Sequence, residues 1–392
     1  MTDATSDEWD TTPLGSYRAL RASLSTSTST ERPAAVATVT NVEGSAYRRP
    51  GAKLVVSASG DSTGAVTAGC LEDSVADVAA AVVDSGAPRT ERFDLTNDAE
   101  GVWGMGLGCN GVVDILVEPV DESFRPAVDE LEAKRTVVLA TAVASTDPAV
   151  AVGDRTTLTG GGDGSPDRVA RGRTGLPADV LDVLADEVDS LREAGRAATV
   201  TVETDAGAVD VFVDVLEPAP DLLVFGRQRD VDPVVRFGRE AGFRVRVVTG
   251  RGGDADVDRF PDAHEVLPTR APDLASAVDA PEHTYALLMS HNFVDDRLAL
   301  DSLLETAVPY VGLMGPRKRF EEMREAFAEE GTPLERADLD RIATPVGLDL
   351  GGDHPSQIAL SAVSELLAVH NGRDGGRLTD RAGPIHDRVA RD

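Results

Sequence analysis

At 392 residues the chain exceeds one small domain, and its 41% hydrophobic content excludes wholesale disorder. It carries 68 Asp and Glu against 38 Lys and Arg, a net charge of −30. Such a field repels polyanions, which excludes nucleic acid or an anionic membrane surface as the main partner. Only three lysines occur, Lys53, Lys134 and Lys318, and the acidic surface fits a salt-rich cytoplasm, so the global charge describes habitat rather than activity.

In chain order, residues 1–12 are expected to be a disordered tail. The stretch Met1 to Thr30 lacks the basic start and apolar centre of a signal peptide, and no apolar run approaches the ~20 residues of a membrane span. The chain therefore reads as soluble and cytoplasmic. A helix is expected over Gly15–Leu24 and a polar tract to Pro33. Ala34–Val42 alternates as a strand and runs into Glu43–Gly44–Ser45–Ala46–Tyr47–Arg48–Arg49–Pro50–Gly51. Lys53–Ser57 is a second strand, and Gly60–Gly64 a turn into Ala65–Val66–Thr67. Gly69–Cys70 opens a helical pattern over Leu71–Val83, a glycine-dense stretch spans Gly104–Gly111, and Val112–Glu118 is a strand ending at Pro119.

Residues 136–220 form a β-rich half. Strands are expected at Val137–Val143 and Thr156–Thr159, a surface loop at Gly160–Pro166, a helix at Val180–Ala194, and a hairpin of Ala198–Glu203 with Val209–Leu216. Asp114–Ile–Leu–Val–Glu–Pro119 echoes Asp214–Val–Leu–Glu–Pro218. The echo reads as similar edge strands received by one sheet, with a true repeat left open. Residues 13–218 are thus expected to form one α+β domain.

From Asp221 strands and helices alternate: strand Leu222–Phe225, helix Pro233–Ala241, strand Phe243–Val248, strand Tyr285–Met289, helix Asp295–Thr306, strand Tyr310–Met314 and helix Arg317–Glu330. This alternation predicts a parallel, doubly wound, Rossmann-like sheet over 221–373, closed by a helix over Ser356–His370 and followed by a polar tail over 374–392.

A strand, Gly226 and a helix invite a dinucleotide-binding reading, but Gln228 and Val231 stand where the second and third glycines belong. The acid expected about 20 residues on is replaced by Thr249–Gly250–Arg251, so a ribose hydroxyl lacks its acceptor. NAD(P) is therefore not expected. Ser290–His291–Asn292 follows a strand at the carboxyl end of that sheet, where His291 either shuttles a proton or caps the next helix. Gly315–Pro316–Arg317–Lys318–Arg319 places three cations beside a helix start, an arrangement suited to phosphate or to a solvated face. Tyr47–Arg48–Arg49–Pro50–Gly51–Ala52–Lys53 is the second basic cluster; two of the three lysines fall in these two stretches.

Cys70 follows Gly69 at a predicted helix start, where the dipole favours a thiolate, and Cys109 lies in Gly104–Met–Gly–Leu–Gly–Cys–Asn–Gly111. Singly, each fits a buried structural cysteine as well as a reactive one. Both in glycine-rich turns of one domain point to function. No CxxC or HExxH pattern occurs and the six histidines are scattered, so no protein-built metal site is expected.

Glu43 to Ala52, Ala68–Gly69–Cys70–Leu71–Glu72 and Gly106–Leu–Gly–Cys109–Asn–Gly111 resemble the amino-terminal domain of the XdhC/CoxI family. Met289–Ser–His–Asn–Phe293 with Asp295–Asp296, Tyr310 to Arg319, Pro345 to Leu350, Pro355 to Ser361, Ala368 to Arg373 and Gly383 to Arg388 resemble its Rossmann-type partner. The resemblance covers nearly the full chain beyond the first dozen residues. It implies an accessory factor for molybdenum hydroxylases of the xanthine or carbon monoxide dehydrogenase type. Such a factor would bind the molybdenum cofactor (molybdopterin), assist its sulfuration with a cysteine desulfurase, and insert it into the hydroxylase large subunit. The protein is expected to be a homodimer. In this frame Cys70, Cys109 and His291 are the candidates for chemistry. Ser45, Tyr47, Arg48, Arg49, Lys53, Gly69, Gly108, Gly226, Asn292, Gly315, Arg317, Lys318 and Arg319 are the candidates for cofactor binding. Two departures stand out: Thr67–Ala68–Gly69–Cys70 replaces the family's Ser–Gly–Gly–Cys, and the glycine pattern at Gly226 is degenerate. The alternatives are an NAD(P)-dependent oxidoreductase with His291 as proton donor, and a docking protein bridging desulfurase and hydroxylase without touching cofactor.

Overall fold

A computed structural model describes residues 10–26, 34–95, 110–160, 167–169, 175–250 and 257–381. Its contacts divide the chain at Pro218/Ala219 into two compact units. The tail before Asp10, the stretch 96–109 with Gly108 and Cys109, the loop 161–166, Arg251 and the tail from Ala382 lie outside the described residues.

The first unit opens with helix α1 (Pro13–Thr26), then strands β1 (Ala35–Ser45), β2 (Lys53–Val56) and β3 (Ser62–Gly64), helix α2 (Glu72–Ser85), and strands β4 (Arg89–Asp94) and β5 (Asn110–Pro119). After α3 (Arg125–Glu132) come β6 (Val137–Ser145), β7 (Arg155–Thr159), β8 (Asp167–Val169), α4 (Ala178–Ala194), β9 (Ala198–Thr204) and β10 (Gly207–Leu216). These strands form two antiparallel five-stranded sheets, in the orders β3-β2-β1-β5-β4 and β8-β7-β6-β10-β9. The single sheet expected from the sequence is therefore corrected to two. Each echoing segment builds a different sheet: β5 lies between β1 and β4, and β10 between β6 and β9.

Burial explains why the period-two signal is weak. Ala35, Ala37 and Val39 of β1 pack with Val75, Ala79 and Val82 of α2, while Val36 packs on the other face with Val137 and Leu139 of β6. In the second sheet Val138, Ala140 and Ala142 pack under Leu184 and Val188 of α4. The sheets stand back to back with a helix on each outer face, and strands buried on both faces read as continuous apolar runs. The turn expected at Gly60–Gly64 is shorter than expected, because Ser62–Gly64 pairs with Leu54–Val56 as β3.

The second unit runs β11 (Asp221–Phe225), α5 (Val231–Glu240), β12 (Arg244–Val248), β13 (Glu265–Leu267), β14 (Thr284–Leu288), α6 (Phe293–Leu304), β15 (Tyr310–Leu313), α7 (Arg317–Glu329), α8 (Arg336–Asp340), β16 (Ile342–Ala343) and α9 (Pro355–His370). The six strands are ordered β13-β12-β11-β14-β15-β16, and every pairing is parallel. Helices α5 and α9 cover one face and α6 and α7 the other, so this is the doubly wound Rossmann-type sheet the alternation predicts. The chain steps back across the sheet between β11 and β14, and ligands of such sheets bind at that switch point. No helix among the described residues is long and apolar enough to cross a membrane.

Candidate functional site

In the first unit the motif residues gather at one end of the first sheet. Strand β1 ends at Ser45, which pairs with Asn110 at the start of β5. The β1–β2 loop then presents Tyr47, 64% exposed, and Arg49, while Arg48 is half-buried with its guanidinium on the Thr11 carbonyl at 3.4 Å. Ala46 and Ala52 of this loop and Cys70 pack against the same apolar cluster.

Cys70 directly precedes the N-cap Leu71 of α2, as the sequence suggests. Gly69 has φ +105°, a left-handed turn open to glycine, and α2 begins only at Glu72. The Cys70 and Leu71 amides donate to Thr67 Oγ1 at 3.1 and 3.2 Å, and the Thr67 amide donates to Glu72 Oε1 at 2.8 Å. These three amides are thus satisfied within the chain, and the turn that carries the half-buried thiol is held by a Thr67–Glu72 latch. Burial works to raise the Glu72 carboxyl, but the hydrogen bonds from Thr67 and Leu71 outweigh it and hold Glu72 below its ordinary value. A depressed carboxylate contributes stability that is present at neutral pH and lost as pH falls through its folded pKa. Glu72→Gln is therefore expected to flatten the acid limb of stability below about pH 4 and to loosen the Cys70 turn. Unfolding midpoints across the acid range for both proteins check this.

Lys53, expected to face an anion, is instead 13% exposed and turned inward: its Nζ binds the Asp214 carboxylate and donates to the Gly51 carbonyl at 3.1 Å. Its neighbourhood in sequence conceals this, because the partner lies on β10.

In the second unit Gly226 follows β11 at the switch point. A Cβ there would lie 2.8 Å from the Met289 carbonyl, so its glycine serves close packing against β14's end. Gln228 donates to the Ser290 carbonyl at 3.0 Å, and Thr249 Oγ1 is buried without a hydrogen-bond partner among the described residues. Phe225, Gly226, Arg227, Thr249, Ser290 and Asp295 line a crevice at this point.

His291 holds φ +59°, an uncommon conformation for a residue with a side chain, and its Nε2 meets Asp230 at 2.6 Å. A carboxylate there accepts from Nε2–H and leaves Nδ1 as the basic atom. The helix cap is Asn292, not His291: its Oδ1 accepts from the Val294 and Asp295 amides at 3.0 and 3.1 Å. The basic triplet also divides. Arg319 is 18% exposed and ion-paired with Asp296, while Lys318 is 87% exposed and 3.7 Å from Glu322, and Arg317 is exposed. Burial pushes the Asp296 carboxyl above its ordinary value, against the opposing pull of the Ser290 hydroxyl and Arg319. Gly315, at φ +131°, makes the turn before α7. Sequence reasoning misses Asp230, and it quotes Asp296 in a motif without its pairing to Arg319. Among the described residues no cluster of histidine, cysteine or carboxylate side chains is arranged to hold a metal ion.

These features define a two-unit protein: a double antiparallel sandwich with its motif residues at one sheet end, and a Rossmann-type unit without an intact dinucleotide fingerprint. Residues 28–94 match the XdhC and CoxI family, and residues 222–366 match the XdhC Rossmann domain. The chain belongs to the XdhC/CoxI family. It is 24% identical over 341 residues to a Bacillus subtilis protein described as a probable subunit of xanthine dehydrogenase, spanning 86% of this chain and 93% of that protein. An uncharacterized Escherichia coli protein, YqeB, is 26% identical over 194 residues, 49% of this chain and 35% of its own. The crystal structure of a xanthine dehydrogenase from Bacillus halodurans superposes with a TM-score of 0.68 and 26% identity, covering 92% of this chain and 96% of that one.

Proposed function

We propose that this protein is an accessory factor that matures a molybdenum hydroxylase of the xanthine or carbon monoxide dehydrogenase type by binding the molybdenum cofactor and handing it to the hydroxylase large subunit. The observation that carries the reading is the gathering of Tyr47, Arg48, Arg49 and Cys70 at one end of the first sheet, within a family related to xanthine dehydrogenase proteins. The donor set suits such a ligand: a soft thiol for the metal end, an exposed aromatic ring for a pterin, and arginines for its phosphate. When bound, the cofactor supplies the redox-active, dithiolene-held molybdenum. The chain's own part is to bind and orient: Arg48 and Arg49 hold the anion, Tyr47 offers a face, and the Thr67–Glu72 latch fixes where the Cys70 thiol points. Cys109, adjoining Asn110 in sequence, would add a second thiol. His291, held by Asp230, offers a base at Nδ1, and a cysteine desulfurase would be the sulfur donor.

Cells lacking the gene and carrying a Cys70→Ser, Cys109→Ser copy are expected to make the client hydroxylase with its activity reduced at least tenfold. Full client activity with the double variant would end the thiol part of this reading. The oxidoreductase alternative has one observation in its favour, the β13-β12-β11-β14-β15-β16 order with Gly226 at the switch point. Gln228, Val231 and Thr249 weigh against it, and micromolar NAD(H) or NADP(H) binding by fluorescence would restore it.

A further inference from the structure

The two sheets of the first unit match strand for strand. Thr38 of β1 faces Lys53 on one side and Leu116 on the other, as Thr141 of β6 faces Arg155 and Phe212. Both central strands carry a register shift, at Thr40 and at Val143. At each bulge the freed carbonyl accepts a threonine hydroxyl from the opposite sheet: Thr199 Oγ1 to the Thr40 carbonyl at 2.9 Å, and Thr90 Oγ1 to the Val143 carbonyl at 2.8 Å. The cross-sheet ion pairs are reciprocal too. Lys53 of β2 binds Asp214 of β10, and Arg155 of β7 binds Glu118 of β5, with every partner at the matching position. The β1–β2 turn closes with Gly51 N to Val39 O and Ala52 N to Arg49 O, and the β6–β7 turn with Gly153 N to Ala142 O and Asp154 N to Ala151 O. Helices α2 and α4 align through Val75, Ala79 and Val82 on Leu184, Val188 and Leu191, each ending in a left-handed glycine, Gly86 or Gly195. The true match sets Asp114 on Asp210, four residues from the Asp214 that the sequence echo suggests.

This match supplies an internal control. Where the first copy has Tyr47–Arg48–Arg49–Pro50–Gly51, the second makes the same turn with Ala149–Val150–Ala151–Val152–Gly153. The turn therefore needs neither the ring nor the arginines. Where the second copy starts its helix with Ala178–Asp179–Val180, the first unwinds that turn as Gly69–Cys70–Leu71. Tyr47 and Arg49, exposed and outside the turn's requirements in a chain of net charge −30, mark a binding face, with the half-buried Arg48 beside them.

We propose that residues 35–216 are two copies of one β-β-β-α-β-β fold, and that the first copy alone carries an anion-recognition face. Tyr47, Arg48 and Arg49 form it at the Cys70 turn, and the Lys53–Asp214 bridge from the second copy holds the loop through the Gly51 carbonyl. It rests on the function proposed above only in naming the cofactor's phosphate as the natural anion.

The test uses no cofactor. In Cys109→Ser protein Cys70 is the sole thiol, and its rate with dithiobis-nitrobenzoate, a dianion, is compared with its rate with neutral dithiodipyridine, each relative to free cysteine. The dianion is expected to be favoured despite the protein's charge, and the preference to fall about tenfold in Arg48→Ala/Arg49→Ala and in high salt. Lys53→Met/Asp214→Leu, which removes both buried charges together, is expected to lower the preference at least threefold while keeping the circular dichroism of the parent. No preference in the parent, or none lost in the arginine variant, would overturn the face; an unchanged preference in the Lys53/Asp214 variant would overturn the clamp. Failure to bind molybdopterin with the preference intact would remove the proposed ligand and leave the anion face standing.

Discussion

Replacing Arg155 with methionine is expected to destabilise the first unit by about 3–5 kcal/mol. The guanidinium is 1% exposed and bound to Glu118, itself 4% exposed, and it stacks on the Phe124 ring at 3.9 Å. Removing it leaves a buried carboxylate without its counter-charge, which costs far more than the lost attraction. Arg155→Met/Glu118→Leu, by contrast, is expected within about 1–2 kcal/mol of wild type, because the pair's own desolvation disappears with it. Arg155 Nε and Nη1 are buried without hydrogen-bond partners among the described residues, so the bridge is incompletely satisfied and its apolar replacement loses little. Urea unfolding of the three proteins decides: equal losses in the single and double variants would contradict the argument.

The second large effect is expected at Asp296→Ala, a loss of about 3–5 kcal/mol confined to the second unit. Asp296 is fully buried, accepts the Ser290 amide at 3.1 Å and the Ser290 hydroxyl, and pairs with Arg319. Its removal strands the Arg319 guanidinium and frees the Ser290–Asn292 segment that positions His291. Hydrogen exchange read by peptide should rise around 288–297 and 315–322 and stay unchanged over 35–56. A uniform rise across the chain would show that Asp296 supports global stability rather than this segment.

The doubly wound sheet is legible in the sequence because its strands sit between helices long enough to declare a period. Strand β13 and the two-residue β16 are not, since three or fewer residues leave no period to read. The first unit's two sheets are hidden by burial on both faces, which erases the alternation that separates a face from its reverse. Among the candidate residues of the first basic cluster, Tyr47 and Arg49 are exposed and Arg48 is half-buried. Lys53 and Arg319, from the same clusters, are spent on Asp214 and Asp296. Cation type and local spacing cannot separate these fates, because each buried carboxylate comes from a distant element. The internal match cannot be found from the echo at Asp214 either, since equivalent strands share pairing geometry and burial rather than letters.

Binding of the molybdenum cofactor by this chain is the proposal on which the rest depends. Protein purified without oxygen from a host that makes molybdopterin, then assayed for pterin by oxidation to its fluorescent form and for molybdenum, tests it most directly. Pterin approaching one per chain is expected in the parent, and at least tenfold less in Cys70→Ser/Cys109→Ser and in Arg48→Ala/Arg49→Ala. Pterin-free parent protein that nevertheless restores client activity in cells would contradict it and leave a docking role in its place.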